Sequence, residues 1–507
     1  MADLVLAIDQ GTTGSRVAVY DQRGSLRGYA YAEFTQHFPK PGWVEHDAAE
    51  IWDSIQRLIP AALTNARASA TDIAAIGITN QRETVVLWDR ATGHPVARAI
   101  VWQDRRTAAT CAEFKARGLE PAVRAATGLT IDPYFSATKI AWLLDNTTPT
   151  SGLRARANKG ELAAGTIESW LIYNLTGGSK AGRGGVHVTD LSNASRTLLM
   201  NIHTLDWDES LLREFNIPRE ILPEPRSCSE VYGHASAIPG LEEVPVCGAA
   251  GDQQAALFGQ AAFEPGMAKN TYGTGSFVLL NTGEVPARTD RLLSTIAWQI
   301  GAQPVQYALE GSVFIAGAAV QWLRDGLGII TDAAETESLA ASLDSNDDVY
   351  FVPALTGLGA PHWDPIARGV ILGITRGTTR AHLCRAALEA MCYQARDVID
   401  AMQQDSGVTL GALRADGGAA TNSWLMQFQA DIIGVPVEVP AQTQTTSLGA
   451  AYLAGLAAGV WRSQAELASH WKLGRRYEPS MTDDRRASLY AQWQRAVERA
   501  RDWERPA

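Results

Sequence analysis

The segment Asp9-Gln10-Gly11-Thr12-Thr13-Gly14-Ser15-Arg16 places a carboxylate at the end of an apolar run and follows it at once with glycines, hydroxyls and a guanidinium. Backbone N–H groups and threonine hydroxyls in such a turn can hold phosphate oxygens, while Asp9 can hold a hydrated magnesium ion. The lysine of a GxxxxGK[ST] phosphate loop is absent, and so is a GxGxxG dinucleotide fingerprint. A polar hairpin turn would carry the same residues, so the segment gains meaning by recurring. Gly273-Thr274-Gly275 supplies a comparable turn in the second half, and two such loops could clamp a triphosphate from opposite sides. A third glycine-rich stretch, Asp416-Gly417-Gly418, with Asn422 after it, lets backbone approach a ligand at a helix start.

A second group of residues suits an acceptor carrying several hydroxyls. Arg82 donates and Glu83 accepts, while Asp252 and Gln253 add an acceptor and a mixed donor-acceptor group. Trp102 and Phe277 can cover a short carbon skeleton. Taken singly, Trp102 reads as ordinary core packing and Arg82-Glu83 as a solvated surface pair. The nine histidines form no HExxH motif, so a zinc hydrolase has no support.

Positioning these residues requires mixed α/β structure. Leu4 to Ile8 and Arg16 to Tyr20 read as a hairpin, and Asp47 caps a helix with Ile51, Ile55, Leu58, Ile59 and Ala62 at helical spacing. Ile73 to Ile78 and Thr84 to Trp88 return to strand character. The theme repeats: a hairpin over Met267 to Leu280, a long helix over Arg380 to Met402, a helix over Ser423 to Ile433 and a final helix over Asp483 to Trp503. A chain of 507 residues exceeds what one core usually organises. Two similarly built domains are expected, 1–250 and 251–507, with the crossover at Pro245 to Gly251.

A formal charge of -11 argues against a nucleic-acid partner. Five scattered cysteines without a CxxC pair suit reduced thiols and a cytoplasmic setting. The N-terminus has no signal-peptide pattern, and no long uncharged apolar stretch supports stable membrane insertion.

From end to end the sequence resembles the FGGY family of carbohydrate kinases, within the group having the actin and hexokinase type of nucleotide-binding fold. The matching segments are DQGTTGSR at 9–16, PKPGWVEHD at 39–47, GITNQRET at 77–84, VWQDRRT at 101–107, IDPYFS at 131–136, AGDQQAALFGQ at 250–260, NTYGTGSF at 270–277, GAPHWDP at 359–365, DGGA at 416–419 and GAAYLAGLAAG at 449–459. The resemblance implies two ribonuclease H-like α/β domains around a central cleft, ATP and Mg2+ as cofactors, and glycerol as the acceptor. It assigns the nucleotide to Thr12, Thr13, Gly14, Arg16, Thr274, Gly317, Gln321, Gly418 and Asn422, and the metal to Asp9. It assigns glycerol to Arg82, Glu83, Trp102, Tyr134, Asp252, Gln253 and Phe277, with Asp252 as the base. It also implies a homodimer or homotetramer. Departures are His362 for the tyrosine of a GAPYW motif, and Gly14 and Ser276 where some relatives carry Ser and Cys. Two other readings are a kinase of the same family acting on a larger sugar, and a nucleotide-gated structural protein on an actin-like fold.

Overall fold

The computed structural model of the chain describes residues 2–147, 152–179 and 184–504. Two mixed sheets organise it. The first contains β1 (Leu4–Gln10), β2 (Gly14–Tyr20), β3 (Leu26–Glu33), β4 (Ile73–Asn80), β5 (Ser229–His234) and β6 (Pro245–Gly251), in the order β5-β6-β4-β1-β2-β3. The second contains β7 (Ala268–Tyr272), β8 (Ser276–Gly283), β9 (Leu293–Trp298), β10 (Gln306–Val313), β11 (Leu413–Gly417), β12 (Val437–Pro440) and β13 (Leu473–Tyr477), in the order β9-β10-β8-β7-β11-β12-β13.

The two are built alike. In the first sheet β1 pairs antiparallel with β2 and parallel with β4, which is in turn parallel to β6. In the second β7 pairs antiparallel with β8 and parallel with β11, which is parallel to β12. The two halves thus repeat one pairing pattern, the second sheet carrying β9 as an extra edge strand. Equivalent hairpin tips, residues 11–13 and 273–275, lie at the ends of the leading strands, and the carboxyl ends of parallel strands are where open α/β sheets place ligands.

Asp47 caps α1 (Ala48–Ala66) by accepting from the Ala49 and Glu50 N–H groups, and the buried stripe Ile51, Ile55, Leu58, Ile59 and Ala62 packs it on the first sheet. Glu50 turns instead to the N–H and hydroxyl of Thr35. In the second half α4 (Arg380–Ser406) runs through the core, mostly buried, and α5 (Ser423–Ile433) follows the Asp416–Gly418 turn.

One expectation changes. Pro245–Gly251 is not a crossover but strand β6, paired on both sides within the first sheet. Its Val246, Cys247, Ala249 and Ala250 are buried, as befits an inner strand, antiparallel to β5 and parallel to β4, covered on both faces. The chain then turns at once into α2 (Asp252–Gly259). Later, α6 (Thr445–Ala457) comes back to pack on α2 and the first sheet. Glycines make this return possible. A Cβ at Gly449 would lie 1.8 Å from the Ala255 carbonyl oxygen, and one at Gly77 would lie 2.2 Å from that of Ala450. The first sheet is thus covered by a helix from the far end of the sequence.

All five cysteines are buried and unpaired, as expected. Among the described residues no helix is long and apolar enough to cross a membrane.

Candidate active site

The first hairpin tip has its carbonyls tied back. Gly11 O accepts from the side chains of Gln10 and Gln81 at 2.8 and 3.1 Å, Thr12 O from Gln36 at 3.1 Å, and Thr13 O from the Phe34 N–H at 3.4 Å. What remains for a ligand are N–H groups and threonine hydroxyls, the equipment of an anion site. Behind the tip His46 links Gln36 at 2.8 Å to Gln81 at 3.3 Å, and burial holds its imidazole down to about 4. A Cβ at Gly14 would strike the Tyr31 hydroxyl at 2.5 Å, so only glycine lets that ring close over the turn.

A cleft of about 440 Å³ opens on this tip. Asp9, Thr13, Gly14 and Arg16 line it from the first half, and Thr271, Asp416, Gly417 and Gly418 from the second. Arg16 is anchored by the Gln444 side chain and lies over the rings of Tyr29 and Tyr31 at 5.3 and 5.9 Å. Asp416 is held by Gln260 at 2.8 Å and by the Thr445 hydroxyl. Burial pushes the Asp9 carboxyl up to about 6; Arg16 opposes the shift and the charge of Asp252 adds to it.

The expected nucleotide residues divide among neighbouring positions. At the second tip the Gly273 N–H reaches Gly275 O, while Ala316, Gly317 and Ala318 at the start of α3 (Gly317–Gln321) donate to Gly273 and Thr274 carbonyls. A Cβ at Gly317 would meet Gly273 O at 2.6 Å, so Thr274 and Gly317 depend on this close approach. Gln321 is exposed at the far end of that short helix. Gly418 faces open space in the cleft, and Asn422 caps α5, its side-chain oxygen accepting from the Leu425 N–H at 2.9 Å. Thr12 turns the other way, its hydroxyl accepting from the Trp102 indole at 3.0 Å, which ties the first tip to the acceptor group.

The acceptor group lies at the ends of β4 and β6. Far from being a solvated pair, Arg82 and Glu83 are 3% and 1% exposed. Arg82 pairs with the Asp252 carboxylate at 3.1 Å and donates to Glu310 at 2.5 and 3.0 Å, to Gln254 at 3.2 Å and to the Tyr134 hydroxyl at 3.4 Å. The last is the longest, and an acceptor hydroxyl could replace it. Arg196 bridges Glu83 at 2.7 Å and Glu310 at 2.9 Å, closing a buried ring of two guanidiniums and two carboxylates. Burial raises Glu310, but the two guanidiniums overcome it and hold the carboxyl at about 2. Burial keeps Glu83 above its ordinary value, and its backbone takes a left-handed φ of 63°. Lys139, lowered to about 7 by burial, clamps that bend by donating to the carbonyls of Glu83 and Tyr134 at 3.0 and 2.6 Å.

Asp252 commits one oxygen to Arg82 at 3.1 Å and to the Gln253 N–H at 2.8 Å, and its side chain is one-third exposed. Trp102 and Tyr134 meet edge to face at 5.7 Å, and Phe277 is half-buried on β8, its carbonyl accepting from Lys269 at 3.3 Å. Through Trp102 and Tyr134, the buried Arg82 group is thus linked to the first hairpin tip.

Family models decide the kinship. The model for the N-terminal domain of the FGGY family of carbohydrate kinases matches residues 4–259, and that for the C-terminal domain matches 268–458. This chain belongs to the FGGY family of carbohydrate kinases. Among FGGY relatives, a glycerol kinase of Deinococcus radiodurans is 58% identical, the match covering 99% of this chain and 98% of that protein. Glycerol kinase 2 of Thermotoga maritima is 57% identical, with 99% of each chain covered. The crystal structure of Plasmodium falciparum glycerol kinase with ADP superposes at a TM-score of 0.91 with 38% identity, covering 98% of both chains. The FGGY fold with two α/β domains is thus the fold of this protein.

Sequence reading missed Glu310, Arg196, Thr271 and Gln444. Glu310 did leave a signal: it is the one charged residue in the run Gln306–Val313. Thr443, just ahead of the glycine-bearing α6, and Thr445 and Thr446 in its first turn left another.

Proposed function

We propose that this chain transfers the γ-phosphoryl group of ATP to glycerol, giving sn-glycerol 3-phosphate and ADP. The observation that carries the reading is Asp252, whose carboxylate has one oxygen fixed by Arg82 and the Gln253 N–H and whose charge acts on Asp9 in the cleft on the glycine-threonine loop. Full-length identity of 57–58% to glycerol kinases supports the choice of acceptor.

Thr12, Thr13, Gly14 and Arg16 hold the phosphates from the first half, and Thr274, Gly317, Gln321, Gly418 and Asn422 hold the nucleotide from the second. Asp9 suits Mg2+: it is an oxygen donor in the cleft, and magnesium is commonly held by one or two carboxylates together with substrate phosphates. Bound there, the ion neutralises phosphate charge. Glu83, Gln253 and Tyr134 bind acceptor hydroxyls, and Trp102 and Phe277 cover its carbons. Arg82 acts chiefly by fixing Asp252 and Tyr134. Asp252 accepts the proton of the terminal hydroxyl as its oxygen attacks phosphorus. Closure of the two halves excludes water, which limits ATP hydrolysis. The five buried, unpaired thiols support a cytoplasmic setting, and a homo-oligomer is the proposed assembly.

The test is kcat/KM with Mg-ATP and glycerol, dihydroxyacetone, erythritol and ribulose in turn. Glycerol is expected to lead. A clear preference for ribulose would transfer the protein to another acceptor while leaving its kinase chemistry intact.

A further inference from the structure

Lys269 is a buried cation that the mechanism above does not use. It lies on β7, fully inaccessible to solvent, and its ammonium donates to the side-chain oxygen of Gln253, to the Thr271 hydroxyl at 3.0 Å and to the Phe277 carbonyl at 3.3 Å. Two of these partners, Gln253 and Phe277, belong to the proposed acceptor pocket, and the third lines the nucleotide cleft.

An ammonium has only donors, whereas a glutamine amide has an oxygen on one arm and an NH2 on the other. The Lys269 contact therefore settles which way the amide faces. Turning it over would press NH2 against NH3+ in a buried site, at the cost of an unsatisfied donor. With its oxygen captured, Gln253 offers NH2 on the opposite arm. Asp252 next to it offers a bare carboxylate oxygen. A hydroxyl that gives its proton to Asp252 has lone pairs left, and an amide NH2 is the group that can receive one.

We propose that Lys269 is a positioning residue for acceptor recognition, fixing the Gln253 amide with its NH2 toward the acceptor hydroxyls. This rests on the reading of Gln253 as an acceptor contact. The buried charge is tolerable because Asp416, Asp252 and Glu310 surround it with negative potential, although burial still brings the ammonium down to about 8.

A double-mutant cycle on kcat/KM for glycerol tests it. Lys269→Met and Gln253→Ala are each expected to lose about 10- to 100-fold, mainly through KM, and the double variant no more than the worse single variant. Gln253→Glu supplies an independent arm. It keeps a partner for Lys269, so its melting temperature should stay at or above the parent's, yet it replaces the NH2 by oxygen and should raise the glycerol KM by about 10-fold or more. If Lys269→Met fails to fold, this variant carries the test. Losses that multiply in the double variant, or an unchanged KM in Gln253→Glu, would overturn the assignment. Parent enzyme that does not phosphorylate glycerol at all would instead refute the functional reading beneath it.

Discussion

With one oxygen of Asp252 bound by Arg82 and the Gln253 N–H, the free one is the only part that can take a proton without breaking the pocket. Asp252→Asn keeps the shape and removes the base, so kcat should fall by about 100-fold or more while ATP affinity, read by calorimetry, is largely retained. Single-turnover transfer near the parent rate at saturation would make Asp252 a binding residue. His46 gives a pH prediction. Its folded value of about 4 lies below the ordinary 6.5, so the unfolded chain binds the proton more readily. Its contribution to stability is complete above pH 6.5 and is lost as pH falls toward 4. Thermal melts of His46→Gln should therefore show a shallower loss between pH 6.5 and 4 than the parent; equal slopes would remove His46 from the account. Arg82, Glu83 and Asp252 were legible as residue types, since donors and acceptors sit side by side in sequence. Their burial was not, because it depends on Glu310 and Arg196, brought in from more than a hundred positions away.

Hairpins and caps were read at the level of elements because their causes are local: the glycine-threonine tips, and Asp47 ahead of α1. The role of Pro245–Gly251 was not, since an apolar run with two glycines looks alike whether it links two domains or fills the middle of a sheet. What decides is α6, which lies against α2 through its own Gly449 and against β4 and β6 through Gly77 and Gly248 of those strands. Gly449→Ala would push a methyl into the Ala255 carbonyl, and is expected to cost about 1–3 kcal/mol or more in chemical unfolding. Gly418→Ala is the contrasting case. Nothing lies within 4 Å of a Cβ there, so stability should hold while the KM for ATP rises, the methyl entering the cleft. Loss of stability without a change in ATP KM would place Gly418 in the scaffold rather than at the nucleotide.

For the whole molecule, the return of α6 means that the first sheet is finished only when residues 445–457 have been made. A fragment of residues 1–259 lacks the helix that covers Gly77 and Gly248, and should expose apolar surface, bind a hydrophobic dye and melt without cooperativity. A cooperative transition in that fragment would show that α6 is dispensable to it. The parallel architecture of the two halves was visible in the repeated hairpins, whereas this exchange between them was not, because no local pattern records which sheet a late helix will cover. The same arrangement joins both halves at the cleft, where acceptor and nucleotide groups must act together. The most direct measurement of that claim follows ADP and glycerol 3-phosphate together by 31P NMR, with Mg-ATP and with or without glycerol. The account predicts one glycerol 3-phosphate for each ADP and little ADP formation without glycerol; ADP formed at the same rate in both samples, with no phosphorylated glycerol, would contradict it.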